Sequence, residues 1–136
     1  MVKMDMKYEG DLHVVIKHLP SGTVLQTDAP ADNRGKGQSF SPTDLVATAL
    51  GSCMATTMGI VAQDKEIDIT GMELHVEKIM SKDVPRRIKT LNVTLIFPHS
   101  LPQEQEELMK KTALHCPVAL SIHPDIEMNA EFKVKE

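Results

Sequence analysis

The run SPTDLVATALGSCMATTMGIVAQD, residues 41–64, decides the fold. Ser41 can cap a helix, Pro42 suits the first helical position because it has no N–H to leave unpaired, and Asp44 puts a carboxylate in the first turn. Apolar or weakly polar residues then recur at 45, 46, 49, 50, 53, 54, 57, 58 and 61, the spacing of a helix. Thr48, Ser52 and Thr56 form a stripe of small polar residues that permits close approach of another backbone, including a symmetry-related copy of the same helix. From Leu45 to Ala62 there are eighteen residues without a charge, the lower edge of transmembrane length. Four Thr or Ser, two Gly and four Ala dilute that hydrophobicity, and no aromatic anchors flank it. The reading is a helix buried on nearly all sides, with no membrane span.

Outward from this helix the pattern changes period. LHVVIKH (12–18) and TVLQT (23–27) are strand-like runs joined by the turn-rich Leu19-Pro20-Ser21-Gly22, which suggests a hairpin. DAPADNRGKGQSFS (28–41) is a long Gly/Pro/Ser/Asn-rich connection, mobile or functional. On the other side, residues 67–79 alternate with a phase slip at Thr70-Gly71, read as a bulge at Gly71, and 88–97 alternate again. These two form an antiparallel hairpin across Met80 to Arg87. A second helix runs from about Pro102 to His115-Cys116, with acids early and lysines late to match the helix dipole. Pro117 ends it and starts a short turn with Cys116 at its N-cap. The last strand is IEMNAEFKV (126–134). Hairpins with helices grouped against one face give an α+β fold, as one domain over residues 1–136. A helix apolar on most of its circumference is hard to cover with one such sheet, which argues for a dimer.

Composition excludes some functions. The formal net charge is −4 and the pI about 5.8, without the basic patch that a nucleic acid or an anionic membrane requires. The densest basic cluster, Arg86, Arg87 and Lys89, has no aromatic neighbours and reads as a solvated hairpin loop. With three Phe, one Tyr and no Trp, nine Met and many aliphatic residues must fill the core. The N-terminus lacks the apolar stretch of a signal peptide, and two cysteines are too few for a secreted disulfide framework. A cytoplasmic, reducing location is expected.

The chemistry rests on those two cysteines. Cys53 lies centrally on the apolar stripe of the long helix, where a cysteine is more often structural than reactive. Cys116 has the better local case, because helix N-terminal amides and a protonated His115 alongside would lower its pKa. No metal is expected: Cys116, His115 and His123 lack zinc-ligand spacing. No cofactor is expected either, since Gly35-Lys36-Gly37 is not followed by the Ser or Thr of a phosphate loop. His13 and His75 read as ordinary strand residues.

The pattern SPTDLVATALGSC (41–53), followed by HCPVALSI (115–122), resembles the OsmC/Ohr family of thiol-dependent peroxidases, in its OsmC-like branch. The shared features are a Ser-Pro helix start, small residues around the first cysteine, and a second cysteine followed by proline. The resemblance implies an intertwined homodimer with antiparallel sheets packed on a central Cys-bearing helix. Cys53 would be the peroxidatic thiol and Cys116 the resolving one. The substrate implied is an organic hydroperoxide or hydrogen peroxide, reduced through sulfenic acid and disulfide, with an external dithiol as reductant. Burial alone would raise the Cys53 pKa, and in the family an arginine, often held by a glutamate, offsets this. Arg34 lies near the place some members use, about one residue out of step, and Thr43 stands where the glutamate would be. Two other readings share the fold: a small-molecule-binding or redox-sensing dimer without turnover, and a structural dimer with inert cysteines.

Overall fold

The strands predicted from alternation form two three-stranded sheets in the computed structural model, which describes residues 1–136. Backbone contacts divide the chain into two compact units, Met1–Val46 and Ala47–Glu136.

The first unit is an antiparallel meander of β1 (Met4–Gly10), β2 (His13–His18) and β3 (Val24–Asp28). β1 was not anticipated, although Met4, Met6 and Tyr8 alternate with Asp5, Lys7 and Glu9. The reason is its turn: Asp11 and Leu12 both adopt positive φ, 53° and 60°, without the Asn-Gly or Asp-Gly pair that usually marks such a two-residue hairpin. Leu12 therefore leaves the strand predicted from it. The 28–41 connection is folded back on itself. Asp28 N–H donates to Phe40 C=O at 3.0 Å, Ala29 N–H to Leu12 C=O at 3.1 Å and Gly35 N–H to Pro30 C=O at 2.9 Å. A Cβ on Gly35 would lie 1.6 Å from the Ala29 carbonyl oxygen, so only glycine fits this crossing. Beneath the loop's neck, buried Asp28 accepts at 2.7 Å from His13 Nδ1, which raises the His13 pKa.

Helix α1 (Pro42–Asp64) starts in the first unit, and its cap is reciprocal. Asp44 N–H donates to Ser41 Oγ at 3.0 Å, and Ser41 N–H donates to Asp44 Oδ2 at 2.9 Å. Two otherwise orphaned donors are thus satisfied, one by the Asp44 carboxylate and one by the hydroxyl of a serine that is only 1% exposed.

The second unit holds the rest of α1, then β4 (Glu73–Met80), β5 (Ile88–Phe97), α2 (Gln103–Leu114), α3 (Pro117–Ser121) and β6 (Glu127–Val134). β4 and β5 pair antiparallel as expected, but β6 joins β5 in parallel, so this sheet is mixed. The helices α2 and α3 supply the crossover that a parallel pair needs. The slip at Gly71 is not a bulge: Gly71 sits in a turn at φ 91°, and β4 begins after it. The register irregularity falls instead between Ile79 and Met80.

The core lies between α1 and the inner face of this sheet. Leu50, Met54 and Met58 are fully buried with Leu91, Val93, Leu95 and Phe97 of the central strand β5, closed by Met109 and Ala113 of α2. Phe97 stacks on Phe132 of β6 with ring centroids 6.3 Å apart. Thus Met does take the place of the missing aromatics. By length and composition α1 could cross a membrane, with mean hydropathy 1.7, yet one face of it forms this core. The opposite face, carrying Thr48, Ala49, Ser52, Thr56 and Ile60, is exposed, so the helix is covered on one side by its own chain.

Candidate functional site

The two cysteines meet in the second unit, and each reaches the meeting point for a different reason. Cys53 sits mid-helix at the border between the buried and exposed faces of α1, half-buried against the core. Cys116 is delivered by a break between helices. α2 ends at Leu114, Pro117 occupies the first turn of α3, and Cys116 caps it in an extended conformation, fully buried. Its sulfur accepts from Ala119 N–H at 3.5 Å. Both thiols are free, and each shifts the pKa of the other.

Their environments push them in opposite directions. Burial raises the Cys53 pKa, but hydrogen bonds from Val118 N–H, the Thr57 hydroxyl and the Cys116 thiol outweigh it and bring the thiol below its ordinary value. Cys116 is pushed up, first by burial and then by its position beside Cys53; the Ala119 and Val118 amides offset only part of this. Cys53 is therefore the better thiolate and Cys116 the better S–H donor. This reverses the order expected from local sequence, which favoured Cys116. The His115 ring, expected from sequence to lower Cys116, instead engages Lys111 C=O one turn back, at 2.8 Å.

Arg34, the sequence candidate for the cation, belongs to the first unit. It ends a 3₁₀ turn at Ala31–Asn33 in left-handed conformation, φ 67°, and is exposed. Asp44, the acid nearest to Thr43, is committed to the α1 cap. All three groups that lower Cys53 are neutral donors. Sequence reasoning missed two of these donors, Thr57 and the Val118 amide. The first was visible as a hydroxyl four residues after the cysteine; the second depends on how α3 meets α1.

Two shallow clefts lie elsewhere. One of about 450 Å³ covers the polar outer face of the second sheet around His75, Asn92 and Asn129. The other, about 530 Å³, runs along residues 66–72 beside Ala55 and Gly59. Neither is lined by a cysteine.

The OsmC-like protein family matches residues 35–131, which contain both cysteines, the capped helix start and most of the second sheet. The chain belongs to that family. It is 46% identical to a crystallised protein of Psychrobacter arcticus 273-4 named for osmotic stress induction and a detoxification response, over 97% of this chain and 96% of that one, with a TM-score of 0.92. The fold is also that of an organic hydroperoxide resistance protein, OsmC, of Legionella pneumophila, at 18% identity, TM-score 0.76 and coverage of 98% and 97%. OhrB of Bacillus subtilis, an organic hydroperoxide resistance protein, has it too, at 19% identity, TM-score 0.73 and 98% of both chains. No curated protein matches the chain. This OsmC-like chain thus keeps the fold of hydroperoxide resistance proteins while its first-turn acid serves as a helix cap.

Proposed function

We propose that this protein is a thiol-dependent peroxidase that reduces an organic hydroperoxide or hydrogen peroxide through Cys53 and Cys116. The observation that carries the reading is the pair of free thiols in the second unit, with Cys53 lowered and Cys116 raised from the ordinary thiol value. The Cys53 thiolate attacks the terminal peroxide oxygen, and the O–O bond breaks. An alkoxide or hydroxide leaves, takes a proton from solvent, and Cys53 becomes a sulfenic acid. The Cys116 sulfur then attacks that of Cys53, hydroxide departs with the Cys116 proton as water, and a disulfide forms. An external dithiol exchanges with the disulfide, is itself oxidised, and restores both thiols. The cation role that the family resemblance implies for Arg34 belongs to this proposal, and no metal or cofactor enters the cycle. A cytoplasmic location suits thiols that must return to the reduced state.

The acting unit in this reading is a homodimer. The exposed Thr48, Ser52 and Thr56 leave room for a second α1, and Ile60, 58% exposed on the same helix, would be covered by it. In the first unit, Met6 and Tyr8 are also more than 60% exposed, on a sheet that needs cover.

Stopped-flow oxidation of the reduced protein by an organic hydroperoxide and by hydrogen peroxide tests the proposal. Rapid oxidation should be lost in Cys53→Ser, and Cys116→Ser should accumulate sulfenic acid. Reaction no faster than a free thiol at the same pH would reject the enzyme. The neutral character of the groups around Cys53 would then favour the second reading, a dimer that binds a small molecule or senses redox state without turnover.

A further inference from the structure

Two consecutive threonines on α1 use their hydroxyls differently. Thr56 Oγ1 donates to Ser52 C=O at 2.8 Å, the usual bond of a helical threonine to the carbonyl one turn back. Thr57 does not follow it. Its hydroxyl lies 3.8 Å from Cys53 Sγ, within hydrogen-bond range for sulfur, and Cys53 is its one side-chain partner. The spacing of four places the hydroxyl and the sulfur above one another on the same helix face. Thr57 is half-buried, so few waters compete for the bond. A hydroxyl can donate to a thiolate, whereas a thiol is a poor acceptor, so this contact strengthens when Cys53 loses its proton.

We infer that Thr57 is a positioning residue for Cys53: its hydroxyl donates to the thiolate from one helical turn away and fixes the direction in which the sulfur presents itself. The inference deepens the peroxidase reading, but the acidity of Cys53 can be measured without any peroxide. Thr57→Val keeps the shape and removes the donor, Thr57→Ala removes both, and Thr57→Ser keeps the donor and removes the methyl group.

The test follows iodoacetamide labelling of Cys53 in the reduced full-length protein against pH, read by mass spectrometry of the peptide that contains it. A hydrogen bond to a charged group is worth enough to move the apparent pKa up by about one unit in Thr57→Val and Thr57→Ala, with labelling near neutral pH about tenfold slower. Thr57→Ser should titrate close to the wild type. A Thr57→Val profile that superimposes on the wild type would overturn the inference. So would a Thr57→Ser profile displaced as far as that of Thr57→Val, because packing rather than the hydroxyl would then be responsible. Since labelling needs no peroxide, these outcomes are separate from failure of the stopped-flow experiment.

Discussion

Replacing Gly51 by alanine sets two effects of similar size against each other. In a helix interior, alanine is favoured over glycine by about 1 kcal/mol. At Gly51, however, an added Cβ would lie 2.7 Å from Cγ2 of Val76 on β4. Carbon atoms pack best at about 3.5–4.0 Å, so roughly 1 Å must open between helix and strand. Val76 cannot simply swing away: it is β-branched, and its strand is paired at Val76 to Val93 of the buried central strand. Overpacking of this kind costs about 1–3 kcal/mol. We expect Gly51→Ala to be destabilised by about 1 kcal/mol net, a loss of roughly 4 °C in Tm for a chain of this length. The mechanism is exposed by the double variant. Once Val76→Ala has removed the opposing methyl groups, Gly51→Ala should become stabilising by about 1 kcal/mol, giving a coupling of about 2 kcal/mol. Urea unfolding of the four proteins, at one protein concentration so that self-association is held constant, measures the cycle. Additive effects, or a Gly51→Ala variant more stable than the parent, would refute the close helix–strand approach.

Met54 is fully buried at the centre of α1, and Met54→Ala should lose about 2–5 kcal/mol in urea unfolding, the cost of burial plus the cavity left behind. Ser41→Ala removes the cap acceptor for Asp44 N–H and should cost about 1 kcal/mol by the same assay, with helicity lost first at the start of α1. His99 gives a pH dependence. Its Nδ1 meets Ser100 C=O at 3.0 Å and its Nε2 meets Asp68 C=O at 2.8 Å, so only the imidazolium satisfies both acceptors. Those bonds and the Asp68 carboxylate raise its pKa above the ordinary 6.5. The stabilisation is thus complete below the unfolded value and lost as pH rises through the higher folded one. Urea midpoints between pH 5.5 and 8.5 should fall more in the wild type than in His99→Gln, and equal falls would contradict the two-carbonyl clasp.

The long helix was readable because its signals agree: a cap, a proline at the first position, an uncharged helical period. The second hairpin was readable for the same reason, since its alternating residues face a core on one side. What the sequence did not reveal depends on contacts distant in the chain. Nothing in IEMNAEFKV states whether it runs parallel or antiparallel to β5; that follows from where α2 and α3 leave the chain. β1 carried its alternation openly, but its positive-φ turn through Asp11 and Leu12 lacks the usual glycine, so the hairpin was not recognised. The Asp28–His13 pair was hidden because its partners are fifteen residues apart on neighbouring strands.

At the candidate site, Cys53 and Cys116 could be paired through family resemblance, whereas their relative acidity could not be read from neighbours in sequence. A helix N-cap next to a histidine argues for an acidic Cys116, and that argument fails because complete burial is the larger effect there. The consequence is an order of events. Part of what holds the Cys116 proton in place is the charge and hydrogen bonding of Cys53. When Cys53 is converted to a neutral sulfenic acid in the proposed cycle, its negative charge disappears, while the Ala119 and Val118 amides remain. Cys116 then loses its proton more readily at the step that requires its sulfur as nucleophile. Before that step its raised pKa favours the protonated thiol. In the proposed cycle, the burial that raises the Cys116 pKa would keep it from competing with Cys53 for peroxide, and oxidation of its neighbour would release it.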